Sequence, residues 1–168
     1  ERLKIQTGTS YAFPPITMGA HVSVTPNHQV GRLTPLRTRA LVAMMGCYGY
    51  ELDITRFTDA EKEEVKRQIA VYKQLRPILQ LGRFTRLLTP FEGKGNETAW
   101  MFVSEDGGKA AVFYFKTLAE PACPIRRLHL AGLDPDAEYE IKAYYPAEGM
   151  ACESQGEAYG NLEGRSFY

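Results

Sequence analysis

Val65, Ile69, Tyr72 and Leu75 follow one another at spacings of four and three, which puts them on one face of a helix. Lys62, Glu63, Lys66, Arg67 and Lys73 lie mostly off that stripe, as a solvated face requires. The segment opens with Thr58-Asp59-Ala60-Glu61, a capping-box pattern that answers the unpaired N–H groups of a helix start, and Pro77 predicts its end. Upstream, Thr34 is placed to cap a second helix with Pro35 at its first position, where a missing N–H costs nothing. That helix runs through Arg37, Leu41 and Met44 and is stopped by Gly46 or Gly49. Residues 1–6 read as the tail of a helix ended by Gly8. Residues 11–15 hold paired prolines and form a loop, and the apolar run 16–24 fits a short buried strand.

Past Pro90 the pattern changes to short β-rich runs separated by Gly, Pro and Asp. Residues 83–88 form a candidate strand, and residues 98–104 and 110–116 flank Glu105-Asp106-Gly107-Gly108, a hairpin signal. Residues 125–130 and 139–144 are expected to pair around the turn Gly132-Leu133-Asp134-Pro135-Asp136. From Pro146 onward the periodicity is weak and the chain reads as loop. Helices followed by strands predict an α+β chain of two packed units.

The 168 residues suffice for one domain or parts of two, and 44% hydrophobic with 24% charged content is that of a globular protein. Lysine plus arginine and aspartate plus glutamate both number 20, so charge gives no case for nucleic acid or an anionic membrane as partner. No apolar run approaches the roughly 20 residues of a membrane-spanning helix. The start, ERLKIQTGTS, has neither an initiator Met nor a signal-peptide pattern, and reads as a chain entered partway. Cys47, Cys123 and Cys152 are far apart without metal-ligand spacing, which predicts free thiols in a reducing, cytoplasmic setting.

Two of the three histidines, His21 and His28, sit late in the apolar run and in the turn after it. In a (β/α) barrel such positions build the active-site face; outside one, His21 reads more simply as a hydrogen-bonded core residue and His28 as a pin of its own loop. His129, between Leu128 and Leu130, reads as solvent-facing on a strand. Glycoside hydrolysis needs two flanking carboxylates, but Asp134 and Asp136 belong to a turn, and Glu63 and Glu64 point in different helix directions. Glu51 and Asp53 could face a cleft, although loop capping explains them as well. Trp100, Met101, Phe102, Phe113, Tyr114 and Phe115 suggest either sugar stacking or, more simply, a sheet core. A nucleophile elbow and a phosphate-binding glycine loop are both missing.

The ordered strings ERLKIQTGTS, PPITMGAHVSVTPNHQVGR, TPLRTRALVAMMG, YGYELDITRFTDAEKEEVKRQI, YKQLRPILQLGRFTRLLTPFEG and NETAWMFVSEDGGKAAVFYF resemble α-galactosidases of glycoside hydrolase family 36, from Glu1 to about Tyr139. The resemblance implies the last strand-helix unit of a (β/α)8 barrel in residues 1–81, with residues 16–21 as its eighth strand. Residues 82–168 would then be a truncated, antiparallel, β-sandwich-like C-terminal domain. It implies a hydrolase that releases terminal α-linked galactose from melibiose- and raffinose-type sugars with retention, through two aspartates whose carboxyls stand about 5–5.5 Å apart.

Neither the family's Lys-Trp-Asp-Met-Asn-Arg-like strand nor its Ser-Asp-x-Thr-Asp-like turn occurs here, so the catalytic residues are expected upstream and the segment alone is expected to be inactive. Met18, His21 and His28 are implied near the sugar pocket, with no cofactor and no metal. The partners implied are an α-galactoside oligosaccharide and further copies of the protein, as a homotetramer. Thr7 and Thr85 stand where the family usually has tyrosine, Cys47 where it has asparagine, and residues 146–164 match poorly. Two other readings are a free-standing carbohydrate-binding or oligomer-assembly β-module, and a hydrolase of α-N-acetylgalactosaminides or larger raffinose-series sugars.

Overall fold

The long helix forms where its apolar stripe and its cap coincide. In the computed structural model, which describes residues 1–118, 121 and 127–142, this helix spans Asp59–Leu81. At its start Thr58 Oγ1 accepts from the Glu61 N–H at 3.2 Å, and Glu61 Oε2 accepts from the Thr58 N–H at 2.9 Å. Contrary to expectation the helix passes through Pro77. An interior proline costs about 3 kcal/mol, yet Ile78 and Leu79 directly after it are buried, and burying two such side chains returns about 1.5–3 kcal/mol each. Core packing therefore carries the last turn past the proline. Gly82 ends it, donating to the Ile78 carbonyl at 2.8 Å. A Cβ at Gly82 would lie 2.4 Å from Ile78 O and 2.7 Å from Val103 O, so only glycine fits between helix and sheet.

Three further expectations near the N-terminus shift. A first helix, α1, runs Arg2–Thr9 straight through Gly8, and Ser10 donates to the Gln6 carbonyl to close it. The apolar run divides into one 3-10 turn, Pro15–Thr17, and the strand β1, Gly19–Ser23. The second helix, α2, is Leu36–Met44 and has Pro35, not Thr34, at its N-cap. Pro35 is extended and its carbonyl accepts from the Arg39 N–H at 3.1 Å, while Thr34 turns away to bond Thr25 Oγ1 at 3.3 Å.

After α2 the chain forms a strand that the glycine-spaced pattern does not announce. This is β2, Cys47–Glu51, parallel to β1 with Gly19 opposite Cys47 and Ser23 opposite Glu51. Gly46 lets the two strands start side by side: a Cβ there would meet Met18 O at 2.8 Å and Ala20 Cβ at 2.9 Å. The strand, helix and strand make a βαβ unit, and Asp59–Leu81, henceforth α3, packs behind it.

The three remaining strands, β3 (Arg83–Leu88), β4 (Glu97–Val103) and β5 (Ala110–Lys116), form an antiparallel sheet in sequence order. The expected hairpin joins β4 to β5: Asp106 Oδ1 accepts from Ser104 Oγ at 2.6 Å and from the Gly108 N–H at 3.0 Å, and Gly107 supplies a φ of +70°. The second expected strand pair does not form among the described residues. Residues 127–130 and 139–142 are irregular, and the rest of both runs lies outside the described residues, as do Cys123, Cys152 and residues 146–168. Side chains hold this stretch instead: Arg83 Nη2 donates to Gly132 O at 2.9 Å, and the Tyr139 hydroxyl donates to Gly107 O at 3.0 Å.

One apolar cluster runs through both halves, from Ala20, Val22 and Met44 past Tyr72, Ile78 and Leu79 to Trp100, Phe102 and Phe113. The architecture is α+β, with helices between a parallel strand pair and an antiparallel sheet.

Candidate functional site

Alternation along β1 and β2 sorts their side chains between two faces. Ala20 and Val22, opposite Tyr48 and Tyr50, face the helices; Gly19, His21 and Ser23, opposite Cys47, Gly49 and Glu51, occupy the other face. Both strands run the same way, so their carboxyl ends lie together, and the chain leaves β1 there through residues 24–35.

On the open face, His21 Nε2 makes an ion-pair contact with Glu51 Oε2 across the strand pair. The main chain at His21 is fixed from below, its carbonyl accepting from Arg2 Nη1 at 2.8 Å. His28 is exposed in the following loop. Met18 is extended and has the same parity as Ala20 and Val22; it is a buried core residue at the amino end of β1, on the helix side. Of the three expected pocket residues, Met18 directly precedes β1, His21 is its middle residue and His28 lies in the loop after its carboxyl end.

The loop is closed on itself. Asn27 Oδ1 accepts from the Gln29 N–H at 3.0 Å and the Val30 N–H at 3.1 Å, while the Asn27 N–H donates to Arg32 O at 2.9 Å. Gly31, with a φ of +64°, donates to Asn27 O at 2.8 Å. Arg39, reaching back from α2, donates to Ser23 O through Nη1 and to Thr34 O through Nε at 2.9 Å, so one guanidinium ties both ends of the loop. Burial lowers the Arg39 pKa and the nearby Glu61 carboxylate opposes that shift.

The helix-facing side holds a polar chain that the sequence reading missed. Tyr48 donates to the Tyr50 hydroxyl at 2.6 Å, which donates to Gln68 Oε1 at 2.7 Å; Gln68 Nε2 then donates to Glu64 Oε1 at 2.9 Å. Gln68 is fully buried, one step from the apolar stripe of α3. A polar residue flanking a helix's core stripe is the signal that could have found it. Burial raises the Tyr50 pKa, Glu64 adds to that, and the hydrogen bond with Tyr48 opposes it.

The remaining candidates have local roles. Asp53 caps the 3-10 turn Ile54–Arg56, accepting from Thr55 Oγ1 at 2.6 Å and from the Thr55 N–H at 3.0 Å, and these bonds lower its pKa. Glu63 pairs with Lys66 and Glu64 with Arg67 along α3, and Asp134 Oδ1 accepts from the Asp136 N–H in its turn. Trp100, Met101 and Phe102 are fully buried, which makes them core and not a sugar platform. His129 is exposed, in an irregular segment and not a strand. Among the described residues no cluster of His, Cys, Asp or Glu could hold a metal ion, and no helix is long and apolar enough to cross a membrane.

Residues 1–82 match the Melibiase family model, and residues 97–163 match that of the glycosyl hydrolase family 36 C-terminal domain. Alpha-galactosidase AgaA of Geobacillus stearothermophilus is 57% identical over 141 residues, which are 84% of this chain and 19% of that protein. Alpha-galactosidase Mel36A of Lactobacillus acidophilus is 44% identical over 140 residues, 83% of this chain and 19% of the relative. The crystal structure of AgaA superposes with a TM-score of 0.75 at 58% identity, covering 79% of this chain and 18% of that one, and AgaA variants have been solved in complex with raffinose and with stachyose. The chain thus spans about a fifth of the length of the curated relatives it matches. From the β1–α2–β2 unit to the antiparallel sheet, it belongs to the α-galactosidases of glycoside hydrolase family 36, and corresponds to the end of their catalytic barrel and part of the β-domain that follows.

Proposed function

We propose that the protein containing this chain is a retaining α-galactosidase that releases terminal α-linked galactose from melibiose- and raffinose-type oligosaccharides. The observation that carries this reading is the 58% identity and 0.75 TM-score against an enzyme whose variants bind raffinose and stachyose. Residues 1–81 are the C-terminal remnant of the barrel and residues 82–168 the β-domain. The nucleophilic and acid/base aspartates belong to family segments before the part matched here, so this chain supplies wall and not chemistry. In this reading His21, in the middle of β1, and His28, in the loop beyond its carboxyl end, belong to that wall, on the side where barrel enzymes hold their substrates.

The assembled protein is a homotetramer in this reading, and its compartment is the cytoplasm. A free-standing β-module fits less well, because the sheet shares its core with α3 and β1.

The test is proton NMR of raffinose mixed with the product of the full reading frame. The first galactose released should carry the α configuration and mutarotate later. Release as the β-anomer, or release only from α-N-acetylgalactosaminides, would contradict the proposal.

A further inference from the structure

Asn96-Glu97-Thr98 has the form Asn-x-Thr, the acceptor pattern for an N-linked oligosaccharide, and the fold puts each of the three residues to another use. Asn96 stands directly before β4, and its side chain pairs with the main chain of Leu118, two residues past β5. Asn96 Oδ1 accepts from the Leu118 N–H at 2.7 Å, and Asn96 Nδ2 donates to Leu118 O at 2.7 Å. The Asn96 carbonyl accepts from the Thr117 N–H at 2.9 Å and from Thr117 Oγ1 at 2.8 Å. The amide thus adds a rung to the β4–β5 ladder beyond the pair Glu97 and Lys116. Glu97 Oε1 accepts from the Tyr114 hydroxyl at 2.6 Å. Thr98, which the glycan transferase must also reach, is 2% exposed within that ladder, opposite Phe115.

The stereochemistry of the amide decides the outcome. A residue's own N–H and C=O lie close together, so both bonds to Leu118 leave one edge of the planar carboxamide. The hydrogen that Leu118 O receives is therefore the one on the same side as Oδ1. Glycan transfer forms a bond from Nδ2 to the anomeric carbon of a lipid-diphosphate-linked oligosaccharide and releases one Nδ2 proton. It breaks that carbon's bond to the diphosphate oxygen, which leaves with the electron pair. The substituted amide is trans, as peptide bonds are, and this sets the sugar carbon on the Oδ1 side. The sugar takes the place of the hydrogen that binds Leu118 O, and brings bulk to the spot where that oxygen lies.

We propose that Asn96 is an N-glycan acceptor only in the unfolded chain, and that a glycan there and the native end of the β4–β5 sheet exclude one another. Passage through a compartment that holds the transferase sets modification against folding, whatever sugar the protein acts on.

The experiment expresses the full-length protein in a eukaryotic cell by two routes, cytoplasmic and secretory, and maps glycan occupancy at Asn96 by mass spectrometry. On the secretory route, occupancy should be at least about tenfold higher in the aggregated fraction than in the soluble one, as loss of the paired bonds to Leu118 requires. Thr98→Val deletes the acceptor pattern but keeps Asn96, and should raise the soluble yield of the secretory route while the cytoplasmic yield stays nearly level. Soluble protein that carries the glycan at Asn96 and melts with the cytoplasmic form would overturn the proposal. So would an unmodified Asn96 in both fractions, since the unfolded chain would then be no acceptor. The wild-type map decides the matter even if Thr98→Val fails to fold.

Discussion

Single residues in this chain carry opposite signs for the same substitution. Gly82 sits where a Cβ would collide with two backbone oxygens, whereas a Cβ on Gly8 would meet the Phe91 ring at an ordinary 3.6 Å. Gly82→Ala should therefore destabilise by about 1–3 kcal/mol, and Gly8→Ala, in mid-helix, should stabilise by about 0.5–1 kcal/mol. Melting temperatures of the two variants of the full-length protein, one below and one above wild type, would bear this out; equal shifts would not. Tyr50 gives a pH signature. Its pKa is raised by burial, so the stability it contributes is fully present below about 10 and is lost as the pH climbs through the raised value. Thermal melts from pH 8 to 11 should decline at the alkaline end, and Tyr50→Phe should soften that decline.

At the scale of elements, the parts legible from sequence were those whose cause is local. The start of α3 is written in Thr58 and Glu61, and the β4–β5 hairpin in Asp106 and Gly107. The end of α3 was misread because Pro77 is a local signal overruled by the distant packing of Ile78 and Leu79. β2 was missed because Gly46 and Gly49 look like helix stops, while the strand exists through pairing with β1 across α2. The site divides the same way. His21 and His28 were visible as residues, but the contact of His21 with Glu51 and the grip of Arg39 depend on that long-range register. The side on which Met18 lies follows from strand parity, which depends on where the strand begins. The capping box supplies the element's own prediction. Thr58→Ala should cost about 1 kcal/mol at neutral pH. The Glu61 pKa is lowered by its bonds from the Thr58 N–H and hydroxyl, so its contribution holds above about 4.5 and fades as the pH falls through the lowered value. Hydrogen exchange in the first turn of α3 should accelerate in Thr58→Ala, and unchanged protection would show the cap to be idle.

For the whole molecule, the described residues leave apolar side chains and strand edges open. Leu33, Leu81 and Leu118 are each at least 70% exposed, and among the described residues β1 and β2 pair with no further strand. Open strand edges beside apolar surface favour self-association. The isolated 168-residue chain should sediment as oligomers or aggregates, and a clean monomer would count against this. In the proposed reading the chemistry follows the same division, with the two catalytic carboxylates in the part of the protein outside these residues. The most direct measurement is galactose release from raffinose by the isolated chain, set beside the product of the full reading frame. The account predicts turnover by the full protein and none by the segment. Turnover by the segment alone would contradict it, since the reacting carboxylates would then have to lie within these 168 residues.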